Sequence, residues 1–262
     1  MSDVAAYPVS SRNFIPLQVA PARVQAAAAD RAPRKGALRC SSCSMRPMCM
    51  PQGLTPDELQ RIEALIYPSR TIRQGETIFR ANDSFQSIYA VRAGSFKTVV
   101  MHRDGRAHVT GFHLAGDSLG LDGVCSGHHS CDAIALEDSK LCIIPFHLLE
   151  TMCREVKAVQ QHVHRMMGSE IVRESSQMML LGTMSAEQRV ATFLLNLSER
   201  LRKRGYSPAE FHLRMTREEI GSYLGIKLET VSRMLSRFQR DGLLDAHGKD
   251  IRILDHDGLI RV

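Results

Sequence analysis

From Ile72 to Pro145 the sequence runs as short β-rich stretches broken by Gly75, Gly94, Gly105, Gly111, Gly116 and Gly120, and after Pro145 it turns helical for more than thirty residues. This change of texture limits the fold more than any other feature. Glycine takes the reversed backbone of tight turns without steric cost, so β-runs separated by glycines read as an antiparallel roll or barrel. Phe96–Met101 and Ala107–Phe112 flank Asp104-Gly105, the dipeptide of a two-stranded hairpin.

The helical stretch carries a second pattern. Gln160, His164, Met167, Ile171, Glu174 and Met178 alternate four- and three-residue steps, the seam of a coiled coil. Val163, Met166 and Leu181 are expected to widen its apolar face. A helix packed on its own domain would give a similar stripe, but length and seam together favour a dimer helix. In a two-fold dimer Glu174 meets its own symmetry mate, and like charges there oppose association. Such a contact keeps a dimer weak enough to be switched. His164 is a second polar seam position, which would make the interface responsive to pH.

The C-terminal part reads as a winged helix-turn-helix. Thr216 with Glu219 three residues on is a capping box, and Gly225 ends that helix. Leu228 to Arg240 forms a second helix with Val231, Leu235 and Phe238 inward, and residues 243–253 give two strands around Gly248, a wing. Glu229, Ser232 and Arg233 share one face near the start of the second helix, the part of such a helix that enters a major groove. Arg233 suits guanine O6 and N7, Glu229 suits a cytosine N4 amine, and Ser232 is less selective. A glutamate there repels phosphates, so its place is as a reader of bases. A second capping box, Thr55 with Glu58, opens an amphipathic helix over Thr55–Ile66.

With 262 residues the chain is long enough for two modest domains. Its net charge of +6 is uneven: residues 1–50 carry seven Lys/Arg against two Asp/Glu, residues 51–188 thirteen against sixteen, and residues 189–262 fourteen against ten. A basic end beside a slightly acidic middle fits a polyanion partner. No run of about 18 apolar residues marks a membrane span, and no signal-peptide core opens the chain, so the cytoplasm is the expected location. Residues 1–39, rich in Ala, Arg and Pro, read as a flexible tail.

Seven cysteines in a cytosolic chain point to metal or redox chemistry rather than disulfides. Cys40, Cys43 and Cys49 crowd into ten residues, a loop able to wrap a metal centre. Iron–sulfur clusters and zinc both ask for four ligands. The fourth would come from Cys125, Cys131, Cys142, Cys153, His128 or His129, and spacing does not choose among them.

Taken together, CSSCSMRPMC, GFHLAGDSLGLDG, SGHH, ALEDSKLCIIPF and MTREEIGSYLGIKLETVSR resemble the FNR branch of the CRP/FNR regulators, over nearly everything after residue 38. That branch comprises oxygen-sensing bacterial transcription factors with a [4Fe–4S] cluster. The resemblance implies Cys40, Cys43, Cys49 and Cys142 as ligands, leaving Cys125, Cys131 and Cys153 without a role. It implies Glu229, Ser232 and Arg233 as readers of TTGAT…ATCAA half-sites in double-stranded DNA. It further implies a homodimer that forms under low oxygen, activates promoters and contacts RNA polymerase, with an acidic residue where Glu174 stands. His164, Met167, Ile171, Glu174 and Met178 would line the dimer interface.

The expected fold is therefore α+β: an antiparallel β-roll sensor domain of cyclic-nucleotide-binding type, a long dimerisation helix, and a C-terminal winged helix-turn-helix. The expected division is a tail (1–39), a cluster-binding loop (40–55), the roll (56–155), the dimerisation helix (156–184) and the DNA-binding domain (185–262). Two rival readings keep the DNA-binding domain: structural zinc at the cysteines, or a small-molecule effector in the roll. A cyclic nucleotide would lack its phosphate partner, since no arginine lies between Gly116 and Lys140. An enzyme or electron carrier is not expected, as no Ser/His/Asp or P-loop arrangement and no second cluster motif appears.

Overall fold

The structure, a computed structural model, describes residues 40–102 and 105–262. The expected flexible tail over 1–39 and the Arg103-Asp104 part of the expected hairpin turn lie outside the described residues. A 3-10 turn at Cys40–Ser42 leads into α1 (Arg46–Cys49) and α2 (Pro56–Leu65). The Thr55–Glu58 capping box is formed in both directions, with the Thr55 N–H donating to the Glu58 carboxylate at 2.8 Å.

Eight strands follow: β1 (Tyr67–Ile72), β2 (Thr77–Phe79), β3 (Ser87–Ala93), β4 (Ser95–Met101), β5 (Ala107–Leu114), β6 (Ser118–Leu119), β7 (Asp132–Ala135) and β8 (Ser139–Pro145). They make two antiparallel sheets, ordered β1-β8-β3-β6 and β2-β7-β4-β5, which is the expected roll. Ile72, Phe79, Val91, Phe96, Leu119 and Leu141 fill the space between them. The β3–β4 reversal turns on Gly94 at φ +87°, where any Cβ would stand 2.8 Å from the Ser139 Cα. Only glycine fits so close an approach in that conformation.

The helical stretch proves to be three helices: α3 (Phe146–Glu155), α4 (Lys157–Thr183) and α5 (Ala186–Lys203). Val156 breaks the first junction with extended backbone, and a Ser185–Gln188 capping box restarts the chain at the second. On α4 the seam positions stand outward: Ile171 is 64% and Met178 67% exposed, His164 and Glu174 are exposed, and Met167 is half-buried. Val163, Met166 and Leu181 do not widen that seam. Val163 is buried, Met166 lines a recess, and Leu181 packs on the core beneath the helix. Successive helical residues are about 100° apart, so inner stripe and seam lie roughly a quarter turn from each other.

The C-terminal part contains β9 (Glu210–His212), α6 (Arg217–Leu224), α7 (Leu228–Arg240), β10 (Leu244–His247), β11 (Asp250–Ile253) and α8 (His256–Ile260). The wing hairpin β10–β11 gains β9 as a third strand, which the sequence did not announce. This part shares a core with the roll: Val109, Phe112 and Leu114 of β5 join Leu194, Ile220, Leu224, Val231 and Phe238. Polar ties reinforce it. Lys97 meets Glu219 at 2.6 Å, the Val109 N–H donates to Ser222 Oγ at 2.9 Å, and Gln177 donates to the Tyr223 carbonyl at 2.6 Å.

Asp117 is the hub of that junction. Its carboxylate takes Arg200 at 2.6 Å, Arg204, and the Leu114 N–H at 2.7 Å. Burial pushes its pKa up, but the two arginines outweigh that and hold the group below its ordinary value. Next to it His113 is 4% exposed. Burial first, then the Arg173 guanidinium, pushes the imidazole pKa down to about 3, so it stays neutral.

A pH dependence follows. His113 takes a proton near 6.5 when unfolded but only near 3 when folded. Its contribution is fully present above 6.5 and is lost as pH falls toward 3. At pH 5 the fold should have lost about 2 kcal/mol through this residue relative to neutral pH. Denaturant titrations of wild type and His113→Gln at both pH values test this: the variant should show a flatter dependence, and equal slopes would refute it.

Candidate functional site

Backbone bonds first shape the cysteine loop. The Cys43 N–H donates to the Cys40 carbonyl and the Arg46 N–H to the Cys43 carbonyl, each at 3.1 Å, curling the segment before α1. Met45 and Met50 are buried and anchor it, Met50 among Ile62, Met152 and Val159. The Ser41 N–H donates to Glu63 on α2 at 2.7 Å. On the other side Cys142 sits mid-strand in β8, directly opposite Ala90 of β3.

The fold brings Cys40, Cys43, Cys49 and Cys142 into one another's electrostatic field. Burial, then the neighbouring Cys142 and Cys49, pushes the Cys40 thiol up to about 12. Burial, then Cys43 and Cys142, pushes Cys49 up to about 11. Burial also raises Cys142, against the pull of Arg92 and with a further push from Cys43. Such thiols do not ionise side by side unless a cation takes up the charge, and a coordinating thiol is deprotonated outright. A four-thiol donor set fits an iron–sulfur cluster. The same four thiols would also serve a zinc ion, and among the described residues no three His, Cys, Asp or Glu side chains are already placed around one metal position.

The other three cysteines have different surroundings. Cys131 is raised by burial and then by Asp122, Cys153 by burial and then by Glu150, and Cys125 is exposed. Sequence reasoning missed Arg92 and Glu63, which reach the thiols only through strand pairing and helix packing and leave no local signal.

The expected effector region closes on itself. Asp122 accepts from the Ser130 N–H at 2.7 Å and bonds His129 at 3.3 Å, while the His129 ring stacks on Phe79 at 3.7 Å. A carboxylate at the centre of this loop opposes a phosphate.

At the other end of the chain α7 presents its N-terminal face. Val231, Leu235 and Phe238 are buried as expected, while Glu229 and Arg233 are exposed and Ser232 is half-buried. Arg217 of α6 donates to Ser232 Oγ at 3.2 Å, and Arg233 rests on Thr230 Oγ1 at 3.3 Å. The turn uses Gly225 in the left-handed region at φ 63°. It also needs Gly221, where a Cβ would meet the Ile226 carbonyl at 2.7 Å, a requirement the sequence reading passed over. No helix among the described residues is long and apolar enough to cross a membrane.

Comparison with known proteins agrees with this geometry. Residues 188–262 match the Crp-like helix-turn-helix domain and residues 69–156 the cyclic nucleotide-binding domain. The chain is 42% identical over 226 residues to the fumarate and nitrate reduction regulatory protein of Escherichia coli, covering 86% of this chain and 90% of that one. It is 41% identical over 223 residues to the transcriptional regulatory protein btr of Bordetella pertussis, covering 85% and 92%. Among solved structures it is similar to FixK2 from Bradyrhizobium japonicum, with a TM-score of 0.69 and 31% identity over 74% of this chain and 95% of that one.

The exposed α7 face yields a direct test. Glu229→Val should reduce discrimination at one G·C pair by ~1–3 kcal/mol while leaving phosphate-driven affinity in place. Binding to two duplexes that differ at that pair measures it, and unchanged discrimination would remove Glu229 from the reading set.

Proposed function

Because this chain belongs to the FNR-type branch of the CRP/FNR family of transcription regulators, we propose that Cys40, Cys43, Cys49 and Cys142 hold a [4Fe–4S] cluster that makes promoter binding depend on oxygen. The chain is a DNA-binding regulator of a dimeric family and not an enzyme. The observation that carries the finer reading is the gathering of these four thiols, and not the other three, into one mutually repelling group. When bound, the cluster supplies irons that accept thiolates and a centre that oxygen can destroy.

The chain's own residues do the rest. Glu63 and the buried Met45 and Met50 fix the loop, while Arg92 favours the charged forms of Cys49 and Cys142. Met50 of the loop packs with Val159 of α4, and Cys49 and His162 line the same recess, so the loop adjoins the helix that carries the seam. On that seam Met167, Ile171 and Met178 attract a second copy and Glu174 repels its mate, with His164 at the upper end. A dimer then presents two α7 helices, whose Glu229, Ser232 and Arg233 read the two halves of a TTGAT…ATCAA palindrome in the cytoplasm, where RNA polymerase is engaged. The match of residues 69–156 to the cyclic nucleotide-binding domain favours a small-molecule effector as the second reading. The Asp122-centred loop argues against a phosphate there.

The deciding experiment is an absorption spectrum with iron and sulfide assays on protein purified without oxygen, then exposed to air. About four irons per chain that bleach in air support the cluster; a colourless, zinc-bearing, air-stable chain would leave DNA binding intact and remove the oxygen mechanism. Cys142→Ala should lose the iron and Cys131→Ala should keep it, and equal iron in both would sink the ligand assignment. Glu174→Ala should shift sedimentation in air toward dimer, since one repulsion is removed; an unchanged profile would count against the seam.

A further inference from the structure

Beneath the cysteine loop lies a small, mostly apolar recess of about 40 Å³ between α2, α3, α4 and the β3–β8 pair. Its walls include Cys49, Ile62, Ala90, Met152, Val163 and Met166. Its only polar lining side chains are Ser118 and His162, at whose Nε2 the ring is buried without a hydrogen-bond partner among the described residues. Of the four gathered thiols Cys49 is part of the wall, while Cys142 lies outside it, paired across the sheet with the wall residue Ala90.

Size and polarity select the occupant. A water-sized guest needs roughly 10–15 Å³ of such space, so this recess takes on the order of three such guests and no drug-sized ligand. A buried water asks for two to four polar partners, and the lining provides for one water at the His162 end. The remaining apolar space resembles the dry protein cavities that take up apolar gases and xenon. Molecular oxygen is diatomic and apolar, and it dissolves better in apolar surroundings than in water.

We propose that this recess is a binding station for dissolved oxygen beside Cys49, so that oxygen reaches the thiol group through it. The proposal rests on the oxygen-sensing reading given above. The inner stripe of α4 then has a second task besides packing: Val163 and Met166 set the volume through which oxygen reaches the thiols.

Xenon is the probe, used on the full-length protein. The xenon NMR resonance should shift saturably with wild type, and Val163→Leu, which adds one methylene to the cavity wall, should abolish that shift. In air, bleaching of the anaerobically purified Val163→Leu protein should be severalfold slower than that of wild type at equal iron content. Absence of a saturable xenon site in wild type overturns the proposal without recourse to any variant. Xenon lost in the variant with bleaching unchanged also overturns it, since the cavity would then lie off the route. A wild-type chain that loads no iron overturns the oxygen reading and this proposal with it. That outcome is seen before any gas is added, so the two failures are distinguishable.

Discussion

The helix α4 has to satisfy two apolar stripes at once, and the rest of the molecule is arranged around that demand. Its inner stripe, with Val159, Val163 and Leu180, is covered by the chain's own roll and C-terminal part. Its outer stripe is uncovered in a single chain, with Ile171 64% and Met178 67% exposed. Burying such a side chain is worth about 1.5–3 kcal/mol.

The thiol loop meets α4 through Met50 packed with Val159, and Cys49 and His162 line one recess. The same loop is held by Glu63 and by the strand that carries Cys142. Burial and neighbouring thiols raise Cys40 and Cys49, and burial raises Cys142, so these thiols resist ionising side by side.

The reading end is not a separate bead. The half-buried carboxylate of Asp117 gathers Arg200 of α5 and Arg204 at its C-terminal end, tying that helix to the roll. Glu219 both caps α6 and pairs with Lys97 of β4. The helix that supports the reading helix is therefore fixed in angle by the roll, and a shift in the β4–β5 hairpin would be felt at α7 through packed side chains.

Much of this was legible in the sequence because it is written locally. Glycine-punctuated runs announced the roll, reciprocal Thr–Glu spacings announced α2 and α6, and the 3.6-residue period of Val231, Leu235 and Phe238 announced the face α7 buries. In each case the physical cause lies within four residues or one turn of backbone. The spacing of Cys40, Cys43 and Cys49 marked a thiol-rich loop for the same reason. Only the tertiary structure decided which distant groups meet. It brought Cys142 rather than Cys131 to the three N-terminal thiols, set Arg92 and Glu63 beside them, turned Val163, Met166 and Leu181 inward, and merged β5 with α6 in one core. A sequence fixes the period of an apolar stripe, but which surface covers that stripe depends on how strands and helices pack across the whole chain.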